Sequence, residues 1–200
     1  MSLTVQYYFA AQSPWAYLGH QRLRDMCKAA GATIELLPTD LGQVFPVSGG
    51  LPLAQRAPQR QAYRLVELQR FSSHRGVPLT VQPKYFPVAG NDASRLIITV
   101  VRDDGNAAAL DFTAAVMRAL WVQERNIADA ATLSALLDEC GLPAQRLQAS
   151  QAAEVQQTYD AITQRAIAAQ VFGSPAYVIA GEMFWGQDRL DFVERRLAQG

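Results

Sequence analysis

The apolar positions of the chain follow two rhythms. From Leu3 to Phe9, β-branched and aromatic residues crowd a run of strand length, which predicts a buried strand. Between Trp15 and Ala30 the apolar positions Ala16, Leu23, Met26, Cys27 and Ala30 recur at helical spacing. Pro14 stands where a helix can begin without losing a hydrogen bond, and Gly31 is a suitable stop. The stretch ATIELLPTDL predicts a second strand that ends at Pro38. Strand, helix and strand within this short span form a βαβ unit, so the two strands pair in parallel with a right-handed crossover.

The middle of the chain carries little strand signal. Residues 42–53 (GQVFPVSGGLPL) read as a loop rich in Gly and Pro. Residues 57–76 read as a polar-faced helix with Tyr63, Val66, Leu68 and Phe71 on or near its buried side. A second loop, with prolines at 78, 83 and 87, leads into residues 93–101 and a helical stretch from Ala107 to Arg125. Thr132–Cys140 and Gln151–Gln170 predict further helices. The end returns to strands: GSPAYVIAGEMFWG reads as a hairpin turning at Ala180-Gly181, and QDRLDFVERRLAQ as a helix with Leu190, Val193 and Leu197 on one face. No internal repeat is visible. The order βαβ, helical insertion, ββα is the thioredoxin-like α/β arrangement, with residues 1–42 and 171–200 forming one unit and the insertion spanning about 43–170.

Composition narrows the partners. Half of the 200 residues are hydrophobic, and 18 basic residues balance 18 acidic ones. Without a basic stripe or polybasic run, neither nucleic acid nor an anionic membrane surface is an expected partner. The N-terminus lacks the basic and long apolar regions of a signal peptide, and no apolar run approaches the roughly 20 residues of a membrane span. The two cysteines, Cys27 and Cys140, fit neither a C-x-x-C nor a metal-ligand spacing, so a dithiol centre and a structural zinc are both unexpected. They read as small buried hydrophobes in a reducing compartment, and the expected location is cytoplasmic.

Three segments carry candidate chemistry. In SPWAYLG, Ser13 caps a helix whose first residue is Pro14, and its hydroxyl could equally act as a nucleophile or as a donor to a thiolate brought by a ligand. It stands where thioredoxin-like redox proteins carry a cysteine, and a serine forms no disulfide. In GSPAY, the Ser174–Pro175 peptide is expected to be cis, because Pro175 falls between the long helix and the last hairpin. In GEMFWGQDRL, Phe184 and Trp185 read as core aromatics, while Gln187, Asp188 and Arg189 lie at a helix N-terminus where they could hold an ammonium or a carboxylate. His20 is expected to pack or face solvent, and His74 to face a helix C-terminus, so neither is assigned to catalysis. Trp15 and Tyr17 read as pocket wall and packing, and Tyr85 and Phe86 as possible linings of an apolar substrate side.

Taken together, SPWAYLG, DLGQVF, the LQR…GVPL…FP run and FGSPAYVIAGEMFWGQDRL resemble the 2-hydroxychromene-2-carboxylate isomerases, relatives of kappa-class glutathione transferases within the DsbA-like thioredoxin superfamily. The resemblance spans about residues 4–195, and FWG-x-DRL following G-x-P is its most specific element. It implies a glutathione-dependent cis–trans isomerisation of a small aromatic substrate, a homodimer, and no metal. It also implies that Ser13 hydrogen-bonds the glutathione sulfur and that the backbone of Ser174, before the cis Pro175, pairs with the cysteinyl part. Gln187 and Asp188 would then hold the γ-glutamyl end. The chain departs from the family pattern at Ser48-Gly49-Gly50, where an asparagine after glycine is usual, and at Ser174, where valine is common. Around Gln59, Arg60 and Gln61 the family often has a lysine, and Arg60 is expected to supply that charge. A conjugating transferase or peroxidase on the same scaffold, or a non-catalytic glutathione- or peptide-binding module, are the alternatives.

Overall fold

The computed structural model describes residues 3–199. Strand β1 (Thr4–Phe9) runs parallel to β2 (Thr33–Pro38), with Thr4 opposite Thr33 and Phe9 opposite Pro38. Helix α1 (Pro14–Ala30) makes the crossover between them. Strand β3 (Ala176–Ile179) lies antiparallel on the other side of β1, with Tyr7 opposite Tyr177, and β4 (Glu182–Trp185) pairs antiparallel to β3. The sheet order β2-β1-β3-β4 and the closing helix α9 (Leu190–Ala198) match the expected βαβ…ββα arrangement. The hairpin turns at Ala180 and Gly181, both with positive φ, as a two-residue turn matched to strand twist requires.

The sheet is covered on both faces because β1 alternates. Val5, Tyr7 and Phe9 point into the main core, and Tyr8 points the other way. The insertion comprises α2 (Leu41–Ser48), α3 (Pro58–Arg75), α4 (Asn91–Asp104), α5 (Asn106–Trp121), α6 (Ala130–Glu139), α7 (Gln145–Ala149) and α8 (Ala153–Ala168). The main core continues from β1 and Leu23 of α1 into Leu96 and Ile97 of α4 and Phe112, Val116 and Trp121 of α5. On the opposite face, Ala166 of α8 meets Tyr8, Leu37 and Val178. Each such buried large side chain contributes about 1.5–3 kcal/mol, so α4 and α5 are integral to the sheet's stability.

Four expectations need correction. Residues 41–48 are helical, not loop: the Asp40 carboxylate caps the segment at the Gly42 N–H (2.8 Å), Val44 is buried, and Gly49 ends it in the left-handed region. The helix expected to run to Arg125 stops at Trp121. The helix expected over Gln151–Gln170 is α8, and the short α7 stands before it, where no helix was expected. On α3, Leu68 is buried, but Tyr63 and Val66 are 58% and 45% exposed, because α3 packs through a narrow stripe beside a cleft.

Candidate active site

Segments remote in sequence meet where β1 hands over to α1. Ser13 is the N-cap of α1, in extended conformation (φ −75°, ψ 122°), and its Oγ accepts the Ala16 N–H at 3.2 Å. The same hydroxyl donates to the Ser174 carbonyl at 3.4 Å. The Ser174 Oγ in turn accepts the Ala10 N–H at 2.9 Å. The Ser174–Pro175 peptide is cis, as expected, and so is Phe86–Pro87, which was not anticipated. Pro175 is buried behind the site, its carbonyl accepting the Gly186 N–H at 2.9 Å. The 3-10 turn at Gln187–Arg189 is thereby tied to the cis-proline loop and to β1.

Two glycines allow this assembly. A Cβ on Gly19 of α1 would lie 2.8 Å from the Gln187 Cβ and 3.0 Å from the Tyr177 hydroxyl, so only glycine lets that turn pack on α1. A Cβ on Gly173 would overlap the Trp185 indole nitrogen. Trp185 is 51% exposed and stands at the mouth of the site beside Phe172 (ring centroids 4.8 Å apart), which corrects its reading as a core aromatic. Phe184, by contrast, packs against the main core.

A cleft between this junction and α3 has two connected lobes of about 490 and 560 Å³. Trp15, Arg56, Arg60, Arg64, Ser174 and Trp185 line both. The first lobe ends at Gln187, Asp188 and Arg189, and includes Glu67. Gln187 is buried, and its Oε1 has no hydrogen-bond partner among the described residues. Asp188 is exposed and paired with Arg189 at 2.7 Å. The second lobe contains Ser13, Phe45, Phe86 and Phe172. Of the expected catalytic and glutathione-binding residues, Ser13, Arg60, Ser174, Gln187 and Asp188 line one cleft and Pro175 does not, with Ser13 in one lobe and Gln187 and Asp188 in the other. Phe86 lines it too, whereas Tyr85 packs against the core and Tyr17 donates to the Pro78 carbonyl at 2.7 Å.

Sequence reasoning missed Arg56 and Arg64. Their signal was present: with Arg60 they recur every fourth residue, and the structure puts Arg60 and Arg64 one turn apart on α3 with Arg56 in the extended segment just before it. Arg64 stacks its guanidinium over Phe86 (4.9 Å to the ring centroid), and burial together with Arg56 pushes it down to about 10. His20 is buried outside the cleft lining, with Nε2 3.1 Å from the Leu110 carbonyl, and burial holds it at about 4. It is neutral at physiological pH. Burial also pushes Cys27 up to about 12, so that thiol is inert. No cluster of metal-ligating side chains occurs among the described residues.

Residues 4–198 match the DSBA-like thioredoxin domain family. A 2-hydroxychromene-2-carboxylate isomerase of Pseudomonas putida is 30% identical over 98% of this chain and 95% of its own length. The chain belongs to the 2-hydroxychromene-2-carboxylate isomerase family of DsbA-like thioredoxin domains. Its homologue in Sphingobium xenophagum, bearing the same name, is 27% identical over 98% of this chain and 99% of that protein. A solved isomerase of this family superposes with a TM-score of 0.85 at 26% identity, covering 98% of this chain and 95% of the other. The cytosolic disulfide reductase DsbM of Pseudomonas aeruginosa, solved with GSH, shares the fold alone at 17% identity, with a TM-score of 0.71 over 98% and 100% of the two chains. The protein is thus an isomerase on a thioredoxin scaffold. No described helix is long and apolar enough to cross a membrane.

Proposed function

We propose that this isomerase uses glutathione, held with its sulfur beside Ser13, to interconvert the cis and trans forms of a conjugated aromatic pyruvate. The observation that carries the reading is the Ser13 hydroxyl at the start of α1, hydrogen-bonded to the Ser174 carbonyl in the lining of a cleft, in a chain without a C-x-x-C. The residues present fit the ligand. The buried Gln187 Oε1, without a partner among the described residues, and the Asp188 carboxylate suit an ammonium, and Arg60 suits a carboxylate. When bound, glutathione supplies a nucleophilic thiolate for reversible addition to a conjugated carbon.

The chain's own part in the chemistry follows from one proton. Ser13 Oγ has a single hydrogen, and one of its lone pairs is committed to the Ala16 N–H. Its hydrogen goes to the Ser174 carbonyl over 3.4 Å, a long and weak bond. Turning that hydrogen toward a thiolate therefore costs little, and a peptide N–H of the ligand can take up the Ser174 carbonyl in exchange. The first-turn amides of α1 add positive potential at the same point. Trp185 and Phe172 at the mouth, with Phe45 and Phe86 inside, exclude water from the reacting carbons and provide apolar walls for a ring.

The deciding assay is turnover of a hydroxybenzylidenepyruvate with and without glutathione, beside conjugation of a chlorinated nitroaromatic. Isomerisation only in the presence of glutathione, with slow conjugation, supports the reading. Isomerisation at the same rate without glutathione refutes it. The expected cytoplasmic homodimer belongs to the same proposal and is checked by light scattering coupled to gel filtration.

A further inference from the structure

The two lobes of the cleft differ in charge. Arg56, Arg60 and Arg64 line both, and the lobe that ends at Asp188 adds Arg189 and two carboxylates, those of Glu67 and Asp188. The lobe that contains Ser13 has no acidic side chain in its lining, and its charged groups are the three guanidinium groups of Arg56, Arg60 and Arg64. None of the three has an ion-pair partner among the described residues, although most other arginines of the chain do, as Arg70 does with Glu67. An uncompensated pair of cations one helical turn apart is unfavourable on folding grounds. Arg64 is the most costly of them, since its Nη2 is buried without a hydrogen-bond partner among the described residues.

Its setting is shaped for a flat anion. Phe86 and Trp121 lie 4.9 and 6.0 Å from the guanidinium carbon, which fixes the plane of the fork and leaves an edge for a ligand. Arg56 is held by its own Nε–H, which donates to the Leu51 carbonyl at 2.9 Å, leaving its terminal nitrogens for other acceptors. Around them the walls are Phe45, Phe86 and Phe172. A planar carboxylate attached to an apolar, unsaturated body satisfies every one of these features. A larger, doubly charged phosphate would gain nothing from the aromatic walls.

We propose that Arg64, with Arg56, forms a carboxylate subsite for the electrophile in the Ser13 lobe, aiming its unsaturated carbons at Ser13. The identity of the electrophile rests on the isomerase reading above, while the subsite itself needs no glutathione. Arg60 is left for glutathione.

The test is binding of trans-cinnamate and of its uncharged isostere cinnamamide, by calorimetry on the protein without glutathione, with glutathione binding measured separately. Wild type is expected to bind cinnamate about 10- to 100-fold more tightly than the amide, the range a charge-assisted hydrogen bond supports. In Arg64→Met, which keeps an unbranched apolar side chain at the position and removes the guanidinium, that preference should vanish while glutathione affinity stays within about twofold, well under the tenfold that 1.4 kcal/mol confers. Arg56→Met should reduce the preference partially. Equal binding of acid and amide by wild type overturns the proposal, and this needs no variant. A preference that survives in both variants overturns it as well. So does a loss of glutathione affinity in Arg64→Met with the cinnamate preference intact, which would give Arg64 to glutathione. Failure of the glutathione reading appears instead as absent glutathione binding by wild type, leaving the cinnamate comparison free to decide.

Discussion

Replacing Ser13 by alanine separates two tasks carried by one oxygen. As an acceptor, the Oγ satisfies the Ala16 N–H at 3.2 Å and closes the first turn of α1. Losing an N-cap of this kind costs about 0.5–2 kcal/mol, whereas glycine at the same position costs only a few tenths. As a donor, the hydroxyl is expected to stabilise a bound thiolate by about 1.5–3 kcal/mol, the range for hydrogen bonds to charged groups. At about 1.4 kcal/mol per unit, that lowers a thiol near 8.5 by roughly one to two units. Ser13→Ala should therefore melt lower and also return the bound glutathione thiol toward its solution value. Ser13→Gly should keep nearly all the stability and show the same thiol shift, and Ser13→Thr should keep both. The assay is the ultraviolet absorbance of the thiolate in the complex as pH is raised, alongside thermal melts of the three variants. Turnover near neutral pH should fall about 8- to 25-fold in both the alanine and the glycine variant, in step with the thiolate fraction lost when a thiol lowered by one to two units returns to about 8.5. If Ser13→Gly left the bound thiol's titration where wild type has it, the donor role would be wrong, and Ser13 would be a cap and nothing more.

Three further outcomes follow from the packing. Gly19→Ala should destabilise by about 1–3 kcal/mol and weaken glutathione binding, because the new methyl meets Gln187 and the buried Tyr177 hydroxyl together; denaturant unfolding and calorimetry check this. Tyr177→Phe should be neutral or stabilising by up to about 1–3 kcal/mol, since the hydroxyl it removes is fully buried and has no hydrogen-bond partner among the described residues, and a lower denaturation midpoint would refute this. His20 titrates lower in the folded chain than its ordinary 6.5, at about 4, so the unfolded chain binds the extra proton between those values and stability falls as pH drops through that window. The loss is on the order of 3 kcal/mol, and His20→Gln should flatten the stability profile between those two values, while an unchanged profile would count against a buried neutral imidazole.

Local signals were enough for the frame of this molecule. The Leu3–Phe9 run, Pro14 and Gly31 bracketing a helix, and the Ala180-Gly181 turn each act through neighbours in sequence, and each lies where expected. What failed depended on distant contacts. Trp185 reads as core because tryptophan usually is, yet the close approach of Gly173 holds it at the cleft mouth. Tyr63 and Val66 follow a helical apolar period, but α3 borders a cleft, so part of its apolar edge has nothing to pack on. The α2 helix was hidden by Pro46, whose missing N–H is tolerated in a short segment capped by Asp40. For the site, the motif residues were legible and the grouping of the three arginines was overlooked, because its meaning depends on what their side chains meet in space, where none has an ion-pair partner among the described residues.

The ties among Ala10, Ser13 and Ser174 also bear on how the protein is made. These partners are separated by more than 160 positions, and β1 gains its second neighbour only when β3 is present. A ribosome that has emitted the βαβ unit and the whole insertion has produced a chain with one bare strand edge and no site. That edge is a template for mispairing until the last hairpin arrives. The final segment thus completes the sheet and the proposed site in a single event, so a chain broken off before residue 170 should be both aggregation-prone and inert.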